Sequence, residues 1–375
     1  MQWGAPDDPS YRFPGRVEGV SPNHGHLCWL KEKMHETIDS EQTLDELMTR
    51  PSDALCEFVK TLDDRVVILG AGGKMGPSLA VRLRRAAKKV EHPLDVVAVS
   101  RFSNSKLRSW LEERDITATP CDLLDRDSLS TLPDAKHILY LVGLKFGTSQ
   151  NPALTWAINT LVPTHATERY PNSRFVALST GNVYPLSPSN GGGSVETDAL
   201  TPIGEYANAA IARERLFEYH AVRLGTPLVL LRLNYAVDLR YGVLLEIAKT
   251  VWAERPVDLT TGHLNCIWQG DANDLILRAL DLATSPPAVF NLTGSTVLSV
   301  PDLARRFAVL MNRSVSFTGE EAPSALLSNS AALCGKLGEP GTPLDSVLRW
   351  TADWVMRDGV TYGKPTHFQV RDGKY

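Results

Sequence analysis

Residues 65–76 read RVVILGAGGKMG, an apolar run that passes straight into a glycine-spaced turn and then into helix-forming sequence. That succession is what lets a chain hold a dinucleotide. Gly70 can make the tight turn, Gly73 lets backbone approach a pyrophosphate, and Gly76 lets the following helix pack on the sheet with its amino terminus aimed at the phosphates. Lys74 and Met75 lie inside the same turn and count among its cofactor-facing residues. A bare glycine triplet would be weak evidence; the strand at 66–69 and the amphipathic stretch at 78–88 supply the context that makes it specific.

Outward from this turn, short β-branched or apolar runs recur at 95–100, 116–121, 137–142, 174–180 and 227–233. Helical stretches at 77–89, 104–114, 152–169 and 204–223 separate them. Such alternation predicts α/β architecture, a doubly wound parallel sheet of Rossmann type over residues 63–238. Beyond residue 234 the pattern turns irregular, with helices expected near 242–254, 271–283, 300–312 and 345–356 and a strand at 288–293. Residues 239–375 are therefore expected to form a smaller substrate lobe and tail, interleaved with the Rossmann core. Residues 1–62 precede the sheet as an extension. Its first 39 residues are rich in Pro, Gly and His and read as a surface arm or as a pad against another subunit. Two short helices are expected within 40–61, the first with Thr43 and Glu46 resembling a capping box, the second capped by Ser52.

The 375 residues carry a net charge of −4, which gives no electrostatic case for nucleic acid or an anionic membrane surface. No stretch approaches the roughly 18 uninterrupted apolar residues of a membrane span, and the amino terminus lacks a secretory pattern, so a cytoplasmic protein is expected. Cys28, Cys56, Cys121, Cys266 and Cys334 lie far apart, without the paired spacing of zinc or redox motifs. No metal is expected.

The end of the second strand carries a second cofactor signal. Dinucleotide sites that take NAD place an acid there for the ribose 2′-hydroxyl, whereas this chain has Ser100 and Arg101. Arg101 could pair with a 2′-phosphate or stack on adenine, which favours NADP with NAD as the alternative, unless it is simply a solvated surface arginine. Asp122, with Leu123 beside it, follows the third strand. It is placed either to accept from the adenine amino group or to cap the next turn.

With these residues in hand, the chain resembles the extended short-chain dehydrogenase/reductases, the NAD-dependent epimerase/dehydratase family, over residues 64–350. GAGGKMG matches the family's phosphate turn. GLKFGTSQNP at 143–152 resembles the loop of UDP-galactose 4-epimerases that faces the cofactor, which implies cofactor contacts for Gly143 and Lys145. Asn159 matches the family's asparagine on the next helix. In FVALSTGNVYP, Thr180 falls on the catalytic Ser/Thr, and Tyr206, opening YANAAIARER, falls on the catalytic tyrosine, which also touches the cofactor. The resemblance implies a sugar or nucleotide-sugar substrate, hydride transfer to nicotinamide, and a homodimer formed through the helices at 152–169 and 204–223.

One position departs from the pattern. The family's tyrosine is followed four residues later, one helical turn on, by a lysine that makes the phenol a better base; here that residue is Ala210. Lys145 and Arg213 are the candidates to replace that cation, Lys145 having its pyrophosphate or ribose contact as the plainer role. Dehydratases of the family place an acidic pair after the threonine, where this chain has Gly181 and Asn182, so epimerase or dehydrogenase chemistry is favoured. Asn182 and Tyr184 beside Thr180, and Asn234, Arg240 and Tyr241 in RLNYAVDLRYG, are the candidate substrate residues. The polar cluster of Asp238, Arg240 and Tyr241 could bind a diphosphate or sugar hydroxyls, or be an ordinary ion pair in a capped loop. Asp271 reads as an N-cap, His263 as a structural loop residue, and Trp350 with Trp354 as core. A binding protein that keeps the dinucleotide pocket but has lost turnover, with a regulatory or scaffold role, is the alternative that Ala210 allows.

Overall fold

The computed structural model describes residues 37–145 and 150–374. Residues 1–36 of the arm and the loop residues 146–149 lie outside the described residues. Seven strands form the central sheet: β1 (Arg65–Leu69), β2 (Asp95–Ser100), β3 (Thr117–Pro120), β4 (His137–Tyr140), β5 (Arg174–Thr180), β6 (Leu228–Leu233) and β7 (Ala288–Leu292). The order across the sheet is β7-β6-β5-β4-β1-β2-β3, every pair parallel. Strands buried on both faces need continuous apolar runs, and VVIL, HILY and LVLL are such runs. This is the doubly wound Rossmann-like sheet, in which the order reverses between β1 and β4.

The principal helices are α1 (Glu41–Met48), α2 (Asp53–Val59), α3 (Gly76–Lys89), α4 (Pro152–Arg169) and α5 (Gly204–Leu224). After the sixth strand come α6 (Val243–Trp252), α7 (Gln269–Arg278), α8 (Val300–Met311) and α9 (Leu344–Met356). Helices α6, α8 and α9 share a second apolar core built on Leu244, Val251, Phe307, Leu348 and Trp354. Trp350 sits in that core with its ring 5.6 Å from that of Trp268. The strand expected at 288–293 is not part of this lobe. It closes the edge of the main sheet beside β6, because its residues Val289, Phe290 and Leu292 find apolar neighbours there. Helix α7 likewise returns to the sheet layer, held on α3 by the buried pair Arg82–Asp274 at 3.1 Å.

Local signals set most helix ends. Ser52 caps α2, its hydroxyl accepting from Leu55 N at 3.0 Å. At α1 the cap is Ser40, which accepts from Thr43 N at 3.1 Å, so the proposed box of Thr43 and Glu46 is displaced by three residues. Glu46 instead pairs with Arg85 of α3.

Candidate active site

The turn between β1 and α3 is built so that side chains would not fit. Gly70 adopts φ +85°, and a Cβ there would meet Val142 Cγ2 at 2.9 Å. A Cβ on Gly76 would lie 2.4 Å from the carbonyl oxygen of Ala71, so only glycine lets α3 start this close to the strand. No side chain caps α3, and Gly76 and Met75 border a cavity of about 300 Å³. Uncapped N–H groups at a helix start, facing a cleft at the carboxyl ends of β1 and β4, fit a dinucleotide pyrophosphate. Across the turn, the space a Cβ on Gly72 would need is filled by the Ser100 hydroxyl at 2.3 Å, which places the end of β2 beside the phosphate turn.

The cavity gathers residues from six parts of the chain, the tail among them. Gly70, Gly73, Lys74, Met75 and Gly76 form one wall; Gly143 and Lys145 come from the loop after β4; Thr180 and Asn182 come from the end of β5. Tyr206 enters from the first turn of α5, and Asn234 and Tyr241 from the segment after β6. Thr180 and Tyr206, 26 residues apart, thus open on one space. Thr180 caps a short turn: its hydroxyl accepts from Asn182 N at 3.2 Å and donates to Asn182 Oδ1 at 3.0 Å. Asn182 is thereby a residue that orients Thr180. Burial pushes the Lys145 ammonium down to about 8, opposed by Glu246. The Tyr241 phenol is pushed up to about 12 by burial, with Glu246 and the neighbouring Tyr206 adding to it.

Several expected contacts are not made at this cavity. Ala210 is fully buried against Val183 and Tyr184, so no cation stands one turn after Tyr206. Arg213 does not take its place. Its guanidinium runs under Gly143, donating to Val142 O at 3.1 Å and to Asn159 Oδ1 at 2.8 Å, and a Cβ on Gly143 would sit 2.6 Å from it. Asn159 is consequently buried beneath the cavity floor, its amide donating to Thr155 O at 2.8 Å, and does not line the cavity. Tyr184 is also withdrawn. Its hydroxyl donates to Asn291 Oδ1 at 2.9 Å and accepts from Arg232 at 2.6 Å, and Arg232 in turn pairs with buried Glu214 at 2.8 Å.

Arg240 is the clearest correction among the substrate candidates. It points away from the cavity into a buried network with Asp238 at 3.0 Å and Asp45 of α1 at 2.9 Å, where a charge is stable only because it is paired. Asn234 borders the cavity, yet its amide is spent on Asn265 Oδ1 at 2.9 Å and Leu326 O at 3.2 Å. Asp122 Oδ1 accepts from Leu124 N at 3.0 Å and so caps its turn, while Leu123 packs in the core. Arg101 is exposed at the outer end of β2. Asp271 lies in the first turn of α7 instead of capping it, and accepts from Thr342 N and its hydroxyl at 2.9 and 3.0 Å.

Sequence reasoning missed Thr366. This tail residue lines the cavity, held by Glu246 of α6 through its backbone N–H and, at 2.7 Å, its hydroxyl. Nothing in the spacing of residues 120 apart could have paired them. Among the described residues no cluster of His, Cys, Asp and Glu could hold a metal ion, and no helix is long and apolar enough to cross a membrane.

Comparison with known proteins agrees with this geometry. Residues 66–237 match the model of the NAD dependent epimerase/dehydratase family. Over those residues the chain is similar to that family. No curated protein matches it in sequence. Among solved structures, UDP-glucose 4-epimerase of Thermus thermophilus in complex with NAD is similar at 18% identity and a TM-score of 0.63, covering 77% of this chain and 98% of that one. UDP-glucuronic acid 4-epimerase of Bacillus cereus, in complex with NAD and a fluorinated UDP-glucuronic acid, gives 17% and 0.65, covering 78% and 99%. The dTDP-glucose 4,6-dehydratase of Bacillus anthracis, in complex with NAD, gives 12% and 0.65, covering 79% and 97%. At such identities the likeness is one of fold.

Proposed function

We propose that this protein is an NAD(P)-dependent oxidoreductase or epimerase that acts on a hydroxyl of a sugar or nucleotide sugar. The observation that carries the reading is the convergence of Thr180, Tyr206 and the glycine turn on one cavity. A nicotinamide dinucleotide held by the turn would supply a hydride acceptor at that point. Tyr206 takes the proton of the substrate hydroxyl while Thr180 hydrogen-bonds the same oxygen, and the carbon that bore the hydroxyl gives up its hydride. Lys145 supplies the cation that Ala210 does not, since it borders the same space. With Gly181 and Asn182 after the threonine, and Asn182 engaged in orienting it, no acid is placed to expel water; epimerisation or simple oxidation is favoured over dehydration.

For the cofactor, Ser100 and exposed Arg101 favour NADP, because no carboxylate at the end of β2 repels a 2′-phosphate. A homodimer is proposed through α4 and α5, whose Leu161, Tyr219 and Val222 are 49%, 59% and 58% exposed. The loss of the lysine at Ala210 favours one second reading, a dinucleotide-binding protein with little turnover and a regulatory or scaffold role. The separating experiment compares wild type with Tyr206→Phe on pooled nucleotide sugars. An enzyme loses about 100-fold or more of its turnover with unchanged dinucleotide affinity. Equal, negligible turnover in both would favour the binding protein.

A further inference from the structure

The charged side chains that line the cavity are Lys74 and Lys145, and no carboxylate lines it among the described residues. Glu246, the acid that acts on Lys145, has its carboxylate engaged by Thr366. Lys145 belongs to the catalytic reading above, but Lys74 has no role in it.

Although Lys74 belongs to the phosphate turn, its side chain leaves that turn. Its Nζ crosses the cleft to donate to the carbonyl of Ala236 at 2.7 Å and lies 4.4 Å from the centre of the Tyr241 ring. Ala236 and Val237 form a short parallel pair with Ile267 and Trp268, which is the entrance to the second lobe. The ammonium therefore sits against the segment after β6, away from its own turn. No carboxylate lies within 4 Å of it among the described residues, so one carbonyl and one aromatic face are its close contacts. Burial pushes it down to about 8, with Asp238 opposing and Arg240 and Lys145 adding to the depression. A cation held this way gains most from an anion brought in by a ligand.

Resting on the oxidoreductase reading, we propose that Lys74 receives an anionic group of the substrate, a carboxylate or a phosphate borne by the sugar, and so sets specificity for a sugar acid or sugar phosphate over a neutral sugar. The ring of Tyr241 beneath the ammonium fixes its position, and the Ala236 carbonyl takes one of its three protons, leaving the others for the anion.

The test uses the whole protein saturated with its dinucleotide, titrated calorimetrically with glucose, glucuronate and glucose 1-phosphate. At least one of the two anions should bind about tenfold or more tightly than glucose, and the tighter one names the group. Lys74→Met should erase that preference, with dinucleotide affinity measured alongside, and Lys74→Arg, which keeps the charge, should retain part of it. Equal binding of all three sugars overturns the proposal and leaves the enzyme reading intact. So does a Lys74→Met protein that loses dinucleotide affinity by the same factor, since Lys74 would then serve the cofactor. A dinucleotide-loaded protein that binds none of the three overturns the proposal, while the Tyr206→Phe comparison on pooled nucleotide sugars decides the enzyme reading separately.

Discussion

At the scale of single residues, two kinds of charge decide behaviour here. Lys74 and Lys145 are depressed to about 8 by burial, so both are charged below that pH and lose the charge as pH rises through it. An anion bound beside Lys74 favours the protonated form, and binding at pH 8.5 should therefore take up protons. Calorimetry in two buffers of different ionisation enthalpy should show net uptake at pH 8.5 and almost none at pH 6.5. The Glu214–Arg232 pair is the opposite case, a buried charge already satisfied. Replacing Glu214 by Ala strands the guanidinium and should cost about 3–5 kcal/mol, read as a loss of unfolding free energy in denaturant titration. Sequence reading brought Thr180 and Tyr206, each placed by a motif, to the border of one cavity. It failed for Arg240, Tyr184 and Asn159, because spacing places a backbone near a cleft but does not say which way a long or amide side chain turns.

Among elements, the loop after β4 and the tail are the parts that hold the cavity in shape. Gly143 and Arg213 occupy adjoining space, so Gly143→Ala should displace the guanidinium and weaken dinucleotide binding about tenfold. Arg213→Ala in the same chain makes room, and a double-mutant cycle should show strong coupling between the two. The tail closes on the start of α5: a Cβ on Gly204, two residues before Tyr206, would lie 2.3 Å from the carbonyl of Gly373. Removing residues 363–375 deletes Thr366 and this contact together, and should lower turnover about tenfold or more while the far-ultraviolet circular dichroism stays native in shape. The strands and helices up to β6 were legible because apolar runs alternate with helical periods. The strand Ala288–Leu292 was legible as a strand but not as the sheet's edge, since its partner β6 lies across the whole of α6 and α7. The tail's role was not legible for a similar reason: its contacts join distant parts of the chain.

For the molecule as a whole, the sheet order places the cavity at the carboxyl ends of parallel strands, on either side of the reversal between β1 and β4. The interleaved second core adds the segment after β6 and the tail as the opposite wall. A dimer through α4 and α5 should appear in sedimentation as a species of twice the 41.2 kDa chain, and Leu161→Glu with Val222→Glu should convert it to monomer. Unchanged sedimentation of the double variant would place the interface elsewhere.

Whether the glycine turn, Thr180 and Tyr206 form one hydride-transfer site can be read by rapid mixing. The protein at substrate-level concentration is mixed with NAD or NADP and pooled sugars and nucleotide sugars while the near-ultraviolet band of reduced nicotinamide is followed. A band is expected, transient if the hydride is returned, and absent in Tyr206→Phe. Tight dinucleotide binding with no band from either dinucleotide and no altered sugar would contradict it.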